Sequence, residues 1–271
     1  MLKIRPAAVA GTFYPADATA LRGAVDRLLA AATPAAGAAA TVKALIVPHA
    51  GYVYSGPIAA SAYAQLRPAT AGIRRVVLLG PAHRVPFRGL ALPGDEQFAT
   101  PLGNVPVDAA AIAAARRLPQ VADNALAHAG EHSLEVQLPF LQRVLGDFSV
   151  VPVVVGDATA ESVAALLDLL WGGPETLIVV SSDLSHYHPY REAQLIDRAT
   201  ADAILGLAAR LDHEQACGAT PVNGLLLAAR RRGLVPALLD LRNSGDTAGD
   251  RRQVVGYSAF GFSEAGFHGD H

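Results

Sequence analysis

The sequence predicts a single α/β domain over residues 1–265, with a mostly parallel or mixed central sheet flanked by helices, and a flexible tail at 266–271. Three observations carry this. Short apolar runs recur at 44–47, 76–79, 150–155 and 177–180, each the length of a strand buried on both faces. Helical patterns alternate with them, as expected when helices cover both sides of a sheet. Of 271 residues, 51% are hydrophobic and 17% charged, enough apolar material for a large core and too much for a disordered chain.

In chain order, the stretch 30–40 is Ala-rich but holds Thr33-Pro34 and Gly37, so a helix end running into a loop is expected. The first signature strand, 44–47, follows. Gly56-Pro57 then marks a helix start, because proline suits a first turn, and an Ala-rich helix continues to 66. The second signature strand, 76–79, leads into a Pro/Gly-rich region at 81–106, expected as a long functional loop with short strands. A helix is predicted at 108–118 with Asp108 as its cap. Apolar residues at helical spacing fill 134–141, where Pro139 predicts a kink or break. The run at 150–155 contains Pro152, which predicts an edge position or a bulge. A helix at 160–171 is closed by Gly172-Gly173-Pro174. Then come the third signature strand from 177, helices at 192–207 and 221–232, and closing strands at 234–241 and 254–262.

The bulk numbers exclude several classes. A net charge of -2 leaves no electrostatic footprint for nucleic acid, and Arg116-Arg117 and Arg230-Arg231-Arg232 are too short to be more than solvated helix faces. No stretch reaches the roughly 20 apolar residues that span a bilayer, so no membrane association is expected. The start of the chain lacks the apolar region of a signal peptide. Cys217 is the single cysteine, so no internal disulfide forms, and a cytoplasmic location is expected.

The chemistry concentrates where the apolar runs end. His49 follows the first strand in Val47-Pro48-His49, His83 follows the second in Gly80-Pro81-Ala82-His83, and His186 follows the third in Ser181-Ser182-Asp183-Leu184-Ser185-His186. Carboxyl ends of strands line the ligand crevice of open α/β sheets, and imidazole is both a common metal ligand and the usual acid–base near neutral pH. Asp183, three residues before His186, is placed to orient it or join it. Glu131-His132 is either a helix first turn or brings His132 to the site as hydrogen-bond donor or proton shuttle. His188 is expected in a supporting or surface position. Cys217 lies on a Gly/Pro-flanked turn before a helix, where a thiol's pKa is lowered; it is a buried apolar residue, a ligand or a nucleophile. Asn243-Ser244-Gly245-Asp246 reads as a turn, with a position lining the pocket as the alternative. His268 and His271 fall on the tail and are expected to be frayed.

Taken together, these segments resemble the Memo family. The resemblance rests on Ala10-Gly11-Thr12-Phe13-Tyr14-Pro15, Pro48-His49-Ala50-Gly51-Tyr52-Val53-Tyr54-Ser55-Gly56 and Gly80-Pro81-Ala82-His83. It continues through Glu131-His132-Ser133-Leu134-Glu135-Val136-Gln137-Leu138-Pro139-Phe140-Leu141, Ser181 to Tyr187, Ala216-Cys217-Gly218, Asn243 to Asp246 and Val255-Gly256-Tyr257. It implies a fold similar to class III extradiol dioxygenases, which use non-haem iron. It implies a metal site of His49, His83 and Cys217, with Asp183, His186 and His132 around it and Phe13, Tyr54, Glu131 and Ser244 as pocket residues. Bacterial members resemble protein B of a three-part system, so an AMMECR-type protein and a radical-SAM enzyme are the implied partners. Thiolate in place of the dioxygenase carboxylate softens the ligand set, which admits copper or zinc beside iron and separates the site from ring cleavage.

Three functions follow as expectations. The first is a metal-dependent redox, oxygenase-like protein acting on an unknown small molecule, with His186, Asp183 and His132 as its acid–base and hydrogen-bonding groups. The second is a binding or scaffold protein that retains the pocket, with Phe13-Tyr14-Pro15, Tyr52 and Tyr54 as a rim. The third is a metal-free hydrolase with Cys217 as nucleophile, His186 as base and Asp183 as orienter.

Overall fold

The computed structural model describes residues 2–32, 42–66 and 72–264. The Thr33-Pro34 and Gly37 loop, the 266–271 tail, His268 and His271 lie outside the described residues. The strands in chain order are β1 (Ile4–Arg5), β2 (Val42–Val47), β3 (Arg75–Pro81), β4 (Leu90–Leu92), β5 (Gln97–Thr100), β6 (Gly103–Pro106), β7 (Val121–Asp123), β8 (Ser149–Val155), β9 (Thr176–Ser181), β10 (His186–His188), β11 (Leu234–Asn243) and β12 (Val254–Glu264). The helices are α1 (Ala18–Ala31), α2 (Tyr52–Tyr63), α3 (Ala109–Ala115), α4 (Ala125–Ala129), α5 (Leu138–Val144), α6 (Ala160–Leu170), α7 (Tyr190–Leu205) and α8 (Ala219–Arg231).

Among the described residues the main sheet runs β10-β12-β2-β9-β3-β8-β4-β7, with β11 on the other side of β12. Its centre, β2-β9-β3-β8, is parallel, while β12 is antiparallel to β2 and β4 to β8, so the sheet is mixed. The three signature strands are direct neighbours, with β9 between β2 and β3. A small second sheet, β1-β5-β6, is built from the Pro/Gly-rich region and the start of the chain.

Strand alternation divides the core into two layers. Leu45, Val47, Val76, Leu78, Leu177 and Val179 face α1, α2 and α5. Ala44, Ile46, Val77, Leu79, Ile178 and Val180 face α3, α6 and α8. Burial on both faces is why these strands read as unbroken apolar runs.

Several local expectations are corrected. α2 starts at Tyr52 rather than at Pro57, which lies inside it. Gly51 caps it without a side chain, and Tyr52 N–H instead donates to Phe13 O at 2.8 Å, a partner from a distant loop. Pro139 begins a helix rather than kinking one: a 3₁₀ turn at Glu135–Gln137 passes into α5 with the proline in its first turn. β8 is neither an edge nor bulged; β4 pairs only with Val154 and Val155, so Pro152 stands where β3 alone is the ladder partner. Glu131 and His132 precede the 3₁₀ turn in an irregular connection and are not a helix first turn. Asp108 caps α3 as expected, accepting from Ala111 N at 2.9 Å.

Candidate metal centre

The carboxyl ends of β2, β9 and β3 hold the site. His49 sits just past β2, buried, its N–H donating to Asp183 Oδ1 at 2.7 Å. His83 follows β3, and its ring is 28% exposed. His132 is delivered by the 131–134 segment, which packs directly on β3: a Cβ on Gly80 would stand 2.7 Å from Ser133 Oγ, so only glycine admits this approach.

One ring nitrogen from each of His49, His83 and His132 lies within 4.8 Å of the others. The network behind them decides which nitrogens are free. The Ser181 hydroxyl has one proton, and it goes to Ser133 O at 2.6 Å. It accepts from Gln137 Nε2 at 2.8 Å, so against His49 Nδ1 at 2.9 Å it is again the acceptor. His49 therefore carries its proton on Nδ1 and keeps its Nε2 lone pair. His83 Nδ1 faces Glu131 Oε1 at 2.9 Å, which likewise places the proton on Nδ1 and frees Nε2. Outer partners that fix an imidazole's tautomer are the usual support of metal-binding histidines.

The electrostatics keep His49 and His132 neutral. Burial, reinforced by His83 and His132, holds His49 well below the ordinary histidine range. Burial lowers His132 to about 4 against the opposing pull of Glu131. Burial pushes Glu131 up, but His83 and the surrounding N–H groups outweigh it and bring the carboxyl to about 2. His132 Nδ1 is buried without a hydrogen bond; Glu131 Oε1 is 3.4 Å away but outside hydrogen-bonding geometry.

Cys217, carried from the far end of the chain to the start of α8, brings its Sγ to 3.3 Å from His49 Nε2. Asp183 N–H donates to the same sulfur at 3.3 Å. The helix N-terminus does not lower this thiol as expected: burial, and then Asp183, push it up. The imidazole at the sulfur is that of His49, so the Cys217–His186–Asp183 hydrolase arrangement is not assembled.

Asp183 also departs from its expected role. Its carboxylate is turned to the backbone of His49 and Ala50 rather than to the His186 ring. Burial raises it to about 7. His186 bonds the backbone of Leu184, and burial lowers its pKa. Asp183, His186 and His132 nevertheless share a cleft of about 830 Å³ with Phe13, Tyr54 and Ser244. Glu131 stands behind the histidines, absent from that lining. His188 pairs with Glu192 at 3.0 Å at the surface.

Sequence reasoning assigned no role to Ser181 and Gln137, which fix the His49 ring, or to Tyr187 and Tyr257, which line the cleft. A polar residue closing an apolar strand and a glutamine inside an apolar helical run were the available signals. Tyr187 is 68% exposed and holds a left-handed φ of 62°, a conformation uncommon for a side chain of its size.

The donor set fits a transition metal: imidazoles oriented by hydrogen bonds from behind, a thiol in contact with His49, and a carboxylate behind them. A family model described as "Memo-like protein" matches residues 5–260. A MEMO1 family protein of Methanopyrus kandleri is 37% identical, covering 95% of this chain and 98% of the relative. One of Methanothermobacter thermautotrophicus is 36% identical over 94% and 99%, and one of Methanosarcina mazei 38% over 95% and 98%. The crystal structure of an uncharacterized protein from Escherichia coli K12 shares the fold, with a TM-score of 0.53 at 16% identity, covering 81% of this chain and 99% of that one.

Proposed function

The chain belongs to the Memo-like protein family, and on that premise we propose that it is a metal-dependent oxidoreductase of small molecules, with non-haem iron, or copper in its place, held by His49, His83 and Cys217. The carrying observation is the preset Nε2 lone pair of His49 lying 3.3 Å from Cys217 Sγ. That is the spacing of two donors on one ion, with bonds of about 2.0 Å to nitrogen and about 2.3 Å to sulfur. His132 is the other imidazole at hand, but its ring stacks on His83, centroids 4.6 Å apart and planes 27° apart. One ring nitrogen of His132 nevertheless lies within 4.8 Å of those of His49 and His83, and the thiol is put forward as third ligand on its contact with His49 Nε2.

A bound ion would supply electron transfer and polarise a substrate oxygen. The protein's own groups do the rest. His186, neutral because it is buried, is the base facing the cleft. His132 offers a ring N–H to the substrate, its orientation set by the Phe13 ring at 4.7 Å. Asp183 holds the His49 backbone in place. Phe13, Tyr54 and Tyr257 provide apolar walls that exclude water.

Metal analysis of protein purified without added metal tests this. The wild type is expected to carry close to one equivalent and the His49→Ala/His83→Ala variant almost none. Equally low content in both sinks the proposal.

A further inference from the structure

A second cavity is larger than the histidine cleft. It lies between α1, α2 and β11, measures about 960 Å³, and among the described residues shares only Phe13 with the cleft lining. We infer that this cavity is a second ligand site, for a small apolar molecule with an anionic end.

Its apolar surface comes from Ala24 and Leu28 of α1, Tyr52 and Pro57 of α2, and Leu239 of β11. Cavities of this size with mostly apolar walls and a few polar groups are the usual form of small-molecule sites. The walls are pinned from behind. Fully buried Glu135 accepts Tyr14 Oη at 2.6 Å, Ala8 N at 2.8 Å and Val9 N at 3.0 Å, fixing the loop that forms one side. Tyr52 Oη donates to Val136 O at 2.7 Å. Gly56 lets α1 seat closely on α2, since a Cβ there would meet Leu28 Cδ1 at 2.9 Å.

Charge selects the ligand. Asp240 is fully engaged by Ser61 Oγ at 2.9 Å and by the Arg242 guanidinium, which neutralises that arginine. Arg27, also in the lining, has no hydrogen-bond or ion-pair partner among the described residues. The cavity thus presents apolar walls and one uncompensated cation, complementary to a carboxylate, sulfonate or phosphate on an apolar body.

The probe is 8-anilinonaphthalene-1-sulfonate on metal-free full-length protein, followed by fluorescence beside its neutral relative N-phenyl-1-naphthylamine. Saturable binding of one equivalent of the sulfonate is expected. Arg27→Glu is expected to weaken it about tenfold and Ala24→Trp, which fills the cavity, to abolish it. Arg252→Glu, at the rim of the histidine cleft, is expected to change it less than about twofold. The neutral probe is expected to bind more weakly and to ignore Arg27→Glu. Absence of saturable binding, loss through Arg252→Glu with Arg27→Glu inert, or equal affinity for both probes each overturns the inference. None of these outcomes depends on metal binding at the histidines.

Discussion

Two sides of the molecule around the histidine cleft hold buried carboxylates, and they treat them in opposite ways. On the side built by residues 131–135, Glu131 receives four hydrogen bonds, from the backbone and ring of His83 and the backbone of His132 and Ser133. Its pKa falls to about 2 despite burial. On the side of β9, Asp183, which lines the cleft, is met by two backbone groups, and Asp197 of α7, outside the cleft lining, by Ser185 N–H at 3.1 Å. Burial raises these to about 7 and about 6. Burial alone does not set a carboxyl's charge; the number of donors aimed at it does. The first side holds a carboxylate kept ionised by its donors, and the second holds carboxyls whose affinity for a proton is raised.

Removing the buried partner of Arg5 is the largest perturbation. Glu135→Ala leaves Arg5, 2% exposed, without its partner at 2.6 Å. An uncompensated buried charge costs about 3–5 kcal/mol, and denaturant unfolding is expected to show that loss. A change below about 1 kcal/mol would mean that the first side does not depend on this pair.

The second side is tested through Asp197. Its folded pKa, raised by burial to about 6, lies above the ordinary carboxyl value of 3.8. The folded protein therefore retains a proton that the unfolded chain has released, and stability contributed by this group falls as pH rises from about 4 to about 6. The full difference approaches about 3 kcal/mol. Asp197→Asn is expected to flatten the dependence of the urea midpoint over that window; an unchanged slope would remove Asp197 from the titrating groups. The same carboxylate occupies the niche beside Gly256, where any Cβ would strike it.

Smaller effects separate the ligands from their supports. Glu131→Gln keeps the shape but loses the charge opposite His83 and is expected to weaken metal affinity about 10–100-fold. Cys217→Ser is expected to weaken Co²⁺ binding at least about tenfold and to lack the sulfur charge-transfer absorption expected of the Co²⁺-loaded wild type. His132→Ala should change affinity less than about tenfold while leaving that absorption in place. The reverse order of the last two variants would assign the third ligand position to His132.

Much of the fold was legible because it repeats. β2, β3 and β9 appear as apolar runs since both faces of each are buried, and Asp108 marks its helix by a local hydrogen bond. The start of α2 was not legible, because its first N–H, that of Tyr52, is met by Phe13 O from a distant loop instead of a local side-chain cap. Pro152 was legible only in part: β8 as a strand is interior, but the proline sits on the stretch that β4 does not reach. Within the site, His49 and His83 showed themselves at strand ends. The actual partners of Asp183, His49 N–H among them, are 134 residues away in sequence and left no trace in local spacing.

The sequence by itself determined the layered α/β fold, the family, and which histidines and which cysteine come to the carboxyl edge of the sheet. These follow from the period of the apolar residues and from motifs that stand in order along the chain. Only the tertiary structure decided which ring nitrogens are free, which carboxyls are ionised, that Cys217 meets His49, and that Phe13 divides two cavities. Those properties are set by hydrogen bonds and desolvation among groups far apart in the chain, and neither exists until the sheet brings them together.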